Sequence, residues 1–171
     1  MTGLADHLGF PDAVDTPLRG TMRTVFALPL LTPAVRSLAP HMDRAVLALT
    51  AGRTTATSAL TGLPVLWVTT SSHDGVPHTV PLVPIPHGRD LAVIGSALGR
   101  RTVPRWARNL AARSDATVRW RDREEAAHAR RPDEDEETRI WRAAIDRYRG
   151  FEGYRVRAGG RPIPVFVLEP A

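Results

Sequence analysis

Apolar positions change their rhythm along the chain. In residues 35–61, Leu38, Met42, Ala45, Val46 and Leu49 recur at steps of three and four, which predicts an amphipathic helix bounded by Gly52 and Gly62. Such a face suits packing on a core; a dimer contact or a peripheral membrane contact is the other reading it allows. Residues 1–34 are rich in Gly, Pro and Thr without a period, and are expected to form a loosely ordered lead-in. From residue 62 the texture becomes that of strands. Residues 64–70 are a β-branched and aromatic run that ends in the turn Ser71-Ser72-His73-Asp74-Gly75. Residues 78–85 return as a strand whose Pro81 and Pro84 demand an edge or bulged position, because proline has no N–H to give a ladder. After a turn at 87–90, residues 91–96 form a third strand, and the three predict an antiparallel meander.

The pattern then alternates. A loop at 97–103 leads to a short helix with Pro104 in its first turn, where a missing N–H costs nothing. Residues 116–120 read as a strand and 124–130 as a weaker one. Pro132 and the acids Asp133 to Glu137 open a helix at the positive end of its dipole; Ile140, Trp141, Ala144, Ile145 and Tyr148 form its apolar face, and Gly150 ends it. Residues 163–169 make a terminal strand. About six antiparallel strands with few helices predict a mainly β protein, a small barrel with flanking helices, over residues 62–171.

Composition narrows the chemistry. The 171 residues suit one domain, and the absence of cysteine excludes disulfides, thiolate catalysis and cysteine-bound metal. The longest apolar candidate, 24–35, is broken by Pro29 and Pro33, and the start lacks a signal-peptide pattern, so a cytoplasmic protein is expected, membrane-associated only if helix 35–61 touches a surface. All 23 basic side chains are arginine against 18 acids. The arginines are dispersed, and the densest stretch, 119–139, is interleaved with acids, so no nucleic-acid partner is expected. His73, His78 and His87 lack metal-ligand spacing and are expected as exposed turn histidines, with no metal site. No Gly-x-Ser-x-Gly elbow or Walker loop is present. The segment Gly95-Ser96-Ala97-Leu98-Gly99-Arg100-Arg101 stands out: its glycines let backbone approach a ligand, Ser96 offers a hydroxyl, and Arg100 and Arg101 can grip an anion.

That segment, continued through Pro104-Arg105-Trp106-Ala107-Arg108-Asn109-Leu110, resembles the signature of the deazaflavin-dependent nitroreductases. Leu66-Trp67-Val68-Thr69-Thr70 with Gly75-Val76-Pro77 and Val80-Pro81-Leu82, the stretch Tyr148-Arg149-Gly150-Phe151-Glu152-Gly153-Tyr154 after Trp141, and the ending Arg161 to Pro170 agree in order. The resemblance implies a split β-barrel of the FMN-binding type, often a homodimer, that binds coenzyme F420 and passes hydride to a hydrophobic quinone, nitro or enone acceptor. It implies Ser96, Tyr154 and Tyr148 as catalytic residues. Cofactor contacts would come from His73, His78, Val80, Pro81, Leu82, Ile94, Gly95, Ser96, Ala97, Gly99, Arg100, Arg101, Arg105, Trp106 and Asn109. Where the family carries a basic hairpin turn this chain has Ser72-His73-Asp74, so Arg100 and Arg101 would have to supply the missing charge. The alternative is a non-catalytic or FMN-using relative that has lost F420 affinity.

Overall fold

The computed structural model describes residues 2–11 and 63–171. Seven strands form one antiparallel sheet: β1 (Leu66–Ser71), β2 (Pro77–Leu82), β3 (Ile85–His87), β4 (Asp90–Ile94), β5 (Asp115–Trp120), β6 (Arg123–Arg130) and β7 (Val165–Pro170). Among the described residues four α-helices accompany them, α1 (Leu4–Leu8), α2 (Arg105–Ala112), α3 (Glu134–Arg147) and α4 (Gly150–Ala158), with one 3-10 turn at Ala97–Gly99. The spatial order β2-β1-β5-β6-β7-β4-β3 departs from the expected meander. The single strand expected over 78–85 divides at Val83-Pro84, and its halves run to opposite edges of the sheet. Proline is the physical reason: Pro77 and Pro81 lie in one edge strand and Pro86 in the other, the positions where an absent N–H breaks no ladder. The fold is mainly β, and its curled sheet is that of a split barrel.

Alternation along the central strands gives the sheet two apolar faces. Leu91 and Val93 of β4 and Phe166 and Leu168 of β7 join Leu66, Val68 and Val118 under α1 and α2. Ala92 and Ile94, with Val165 and Val167, point the other way and meet Ile140, Trp141 and Ala144 of α3 and Phe151 of α4.

Residues 2–11 depart from the loose lead-in expected over 1–34, of which residues 12–34 lie outside the described residues. Within residues 2–11, Leu4 and Leu8 are fully buried in the first core cluster. Helix α1 is tied to the β3–β4 turn: the Leu4 N–H donates to the Asp90 carboxylate, the Ala5 N–H to the Arg89 carbonyl, and the Arg89 side chain to Asp6. Leu8→Ala is expected to cost about 3 kcal/mol, the usual penalty for a cavity at a buried leucine. Urea unfolding checks it, and a change within a few tenths of a kcal/mol would show that α1 detaches freely. The helix expected over 35–61 lies outside the described residues.

Three helix ends also differ. Pro104 is the N-cap of α2, one position before the first turn. Pro132 lies outside α3, which is capped by Asp133 accepting the Glu136 N–H at 2.7 Å. Gly150 starts α4, and α3 ends earlier, at Arg147. A side chain at Gly150 would overlap the Tyr148 ring, whose Cε1 lies 2.2 Å from the position a Cβ would take, so glycine here lets that ring lie over the start of α4.

Candidate functional site

The loop that leaves β4 is held at several points. Gly95 donates its N–H to the Pro164 carbonyl at 2.8 Å, and a Cβ there would stand 2.7 Å from the proline ring. Ser96 follows, buried, with its N–H bonded to the Ile94 carbonyl at 2.9 Å. Ala97, Leu98 and Gly99 then take left-handed φ values of 51°, 56° and 79° in succession. For the two non-glycine residues this costs about 1–2 kcal/mol each, so the surroundings must hold the loop in place.

Arg161 does so. Its Nη2 donates to the Ser96 carbonyl at 3.1 Å, its Nε to the Arg100 carbonyl at 3.0 Å, and its Nη1 to the Pro162 carbonyl at 2.9 Å. One planar guanidinium thus bridges both ends of the left-handed turn. Sequence reading took Arg161 only as part of the terminal motif, because a clamp onto backbone carbonyls leaves no partner residue type to recognise. Helix α4 closes the other side, where Gly99 sits against Arg157 and the Tyr154 carbonyl.

Tyr148 and Tyr154 stand beside this loop in one aromatic cluster with Phe151. The three ring centroids are separated by 6.1, 5.7 and 6.2 Å, and the cluster packs with Ile94 and Trp141. Burial, then the neighbouring Tyr148 phenol, pushes the Tyr154 hydroxyl well above the usual tyrosine range. It therefore stays protonated throughout the neutral range and is a weak acid.

The remaining sequence-predicted residues form a second group. On β2, His78, Val80 and Leu82 share the half-buried face, while Pro81 points to the exposed one. Val80 and Leu82 pack on the cluster that holds Trp106, whose buried ring lies 6.1 Å from Phe166. Asn109 donates from its amide to the Thr70 hydroxyl at 3.0 Å, and Thr70 is the register partner of His78. Trp106 and Asn109 thus hold α2 on the sheet. His73 is fully exposed at the hairpin tip, beside Asp74 at 3.6 Å, and its backbone carbonyl accepts from Arg113 after α2. Arg100, Arg101 and Arg105 are exposed and pair with no carboxylate among the described residues.

His87 overturns the expectation of an exposed turn histidine, as does His78, which is half-buried within β2. His87 is half-buried, with Nε2 2.7 Å from Glu136 Oε1. Arg130 grips the same carboxylate through two hydrogen bonds, at 2.6 and 2.7 Å, and also reaches Glu169. This network joins β3, β6, β7 and α3. Arg130 chiefly, then His87, holds the Glu136 carboxyl down at about 2 against burial.

Residues 42–170 match the model of the F420H(2)-dependent quinone reductase family. A Mycobacterium tuberculosis protein provisionally named as the F420H(2)-dependent quinone reductase Rv3178 is 30% identical over 100 residues, which cover 58% of this chain and 83% of that one. A solved F420-H2 dependent reductase (FDR-A) is 27% identical, with a TM-score of 0.57 over 62% of this chain and 94% of that chain. A structure titled as a domain-swapped dimer shares the fold at 24% identity, with a TM-score of 0.59 over 74% of this chain and 95% of its own.

Proposed function

The chain belongs to the F420H(2)-dependent quinone reductase family, and we propose that it binds coenzyme F420 at the 94–101 loop and reduces a hydrophobic quinone, nitro or enone acceptor. The observation that carries this reading is the loop itself: a buried serine and three left-handed residues held in place by Arg161 within the family-matched region. When bound, the coenzyme supplies the hydride. The protein supplies placement and charge. Gly95 and Gly99 keep the loop close to its neighbours, and Ser96 would lie by the bound ring and orient the acceptor through its hydroxyl. Ile94 and Ala97 are the apolar residues we assign beside the ring; Val80 and Leu82 belong to the other apolar face, with Trp106.

The coenzyme's phosphate and acidic tail need cations. Arg100 and Arg101 are exposed beside the loop without a carboxylate partner among the described residues, Arg105 opens the next helix, and His78 lies on the half-buried face of β2. These residues take over from the basic hairpin turn that this chain lacks, while His73 contributes only at the exposed tip. Family membership favours F420 over an FMN-using or non-catalytic alternative. A homodimer is the assembly we attach to this reading, in line with the domain-swapped structure of the same fold.

Ser96→Ala tests the assignment. Turnover with a quinone acceptor is expected to fall about a hundredfold, the usual scale for removing one aimed donor, while coenzyme affinity stays within about twofold. Unchanged turnover would remove Ser96 from the reaction.

A further inference from the structure

Arg157 lies between the aromatic stretch 148–154 and the terminal segment that begins at Arg161, and belongs to neither. It lies on α4, where its guanidinium carbon stands 5.1 Å from the centroid of the Tyr154 ring. Its Cβ and Nε lie 2.6 and 3.1 Å from where a Gly99 side chain would begin, and its Nη1 is 3.0 Å from the same point on Gly153. Two glycines, one on the loop and one on the helix, thus make the room this side chain occupies. Its Nε is buried and donates to nothing. Among the described residues no carboxylate lies within ion-pair distance of it. A buried donor without a partner is costly, more so on a charged group, and the ring of Tyr154 offsets only part of that.

Arg161, four residues on, spends its guanidinium on backbone carbonyls. Arg157 holds its charge next to Tyr154 and the Ser96–Gly99 turn without such partners. We propose that Arg157 is the acceptor-binding cation, whose guanidinium takes the oxygen of the quinone, nitro or enone group on which negative charge gathers as the acceptor is reduced. This rests on the proposed reductase reading and deepens it. In the balance of the step, the acceptor gains an electron pair and a proton as hydride, which the coenzyme loses. A proton reaching the acceptor oxygen by way of water would complete the reduction, balanced by the second proton that the coenzyme gives up on oxidation. Arg157 stabilises that oxygen in the interval, a task for which a fixed cation is better suited than the weakly acidic Tyr154 phenol.

The test compares two probes on the protein without coenzyme, followed by tryptophan fluorescence: a hydroxynaphthoquinone that is ionised at neutral pH, and its neutral methyl analogue. Wild-type protein is expected to bind the ionised probe about tenfold more tightly or better, the scale of a charged hydrogen bond. Arg157→Gln should bring the two affinities together, Arg157→Lys should keep most of the preference, and F420 affinity should change less than about twofold in both. A preference that survives in Arg157→Gln, or is absent from wild type, overturns the proposal. So does loss of F420 affinity in Arg157→Gln with the probe preference intact, which would make Arg157 a coenzyme ligand. If wild-type protein does not bind F420 at all, the reductase reading fails, and the probe comparison still decides the role of Arg157. If Arg157→Gln does not fold, the wild-type comparison and Arg157→Lys decide it.

Discussion

Gly99→Ala is expected to lower F420 affinity at least about tenfold and to take most of the turnover with it. Two costs coincide at this residue. Its φ of 79° is left-handed, where a Cβ costs about 1 kcal/mol or more, and that Cβ would lie 2.6 Å from the Arg157 Cβ and 3.2 Å from the Tyr154 carbonyl oxygen. Both neighbours belong to α4, and the clash involves its backbone and the root of a side chain, so a rotamer change cannot relieve it. Either α4 moves away, carrying Tyr154 and Arg157 with it, or the turn changes its path and moves Ser96. The control is Gly75→Ala in the hairpin turn. Gly75 has nearly the same φ, 76°, with no heavy atom within 4 Å of its added Cβ. It should lose a similar amount of stability from backbone strain and keep its coenzyme affinity. Coenzyme titration and a thermal melt on both variants check this. Equal affinities in the two would mean that the contact between the loop and α4 does not shape the site.

Glu136→Gln is expected to destabilise the fold by about 2 kcal/mol, the scale of charge-assisted hydrogen bonds to a buried group. The amide can accept only part of what Arg130 and His87 now give to the carboxylate, and Arg130 keeps Glu169 alone. The variant also has a pH signature. Glu136 titrates at about 2 in the folded protein against an ordinary value of 4.5. A carboxylate with a depressed folded pKa contributes stability that is fully present above its unfolded value and is lost as pH falls through the folded one. Wild-type protein should therefore lose stability progressively between about pH 4.5 and pH 2, and Glu136→Gln should lack that part of the decline. Urea midpoints at several pH values measure the difference. Parallel curves for the two proteins would show that the network does not couple protonation to folding.

Much of the site was legible because the loop, its arginines and α2 are contiguous in sequence. The turn chemistry of Gly95 and Gly99 and the helix after Pro104 are local properties, and local properties can be read from neighbours. The strands were legible for the same reason: in β4 and β7 the alternation of Leu91-Ala92-Val93-Ile94 and Val165-Phe166-Val167-Leu168 assigns each side chain to a face. Alternation says which face a residue occupies and nothing about which strand lies beside it, so the separation of β2 and β3 to opposite edges was missed. Helix α1 was missed because five residues are too few to show a period; it is held by burial of Leu4 and Leu8 and by bonds to Arg89 and Asp90, more than eighty positions away. Helix α4 contains Gly150 and Gly153 and has no clear apolar stripe, and its place is set by the stacking of Tyr148, Phe151 and Tyr154. His87 and Glu136 read separately as a turn histidine and a helix-dipole acid. Only the fold, which brings His87 of β3 and Arg130 of β6 to the one Glu136 carboxylate, turns them into one network.

The central claim is that a chain without the family's basic hairpin turn still holds the coenzyme, with Arg100 and Arg101 supplying charge beside the loop. Titration of the purified protein with F420, followed by quenching of the coenzyme's fluorescence, tests it directly. The account predicts saturable binding in the micromolar range that weakens as salt is raised, because exposed arginines carry the charge. No binding at high coenzyme concentration in low salt would contradict it.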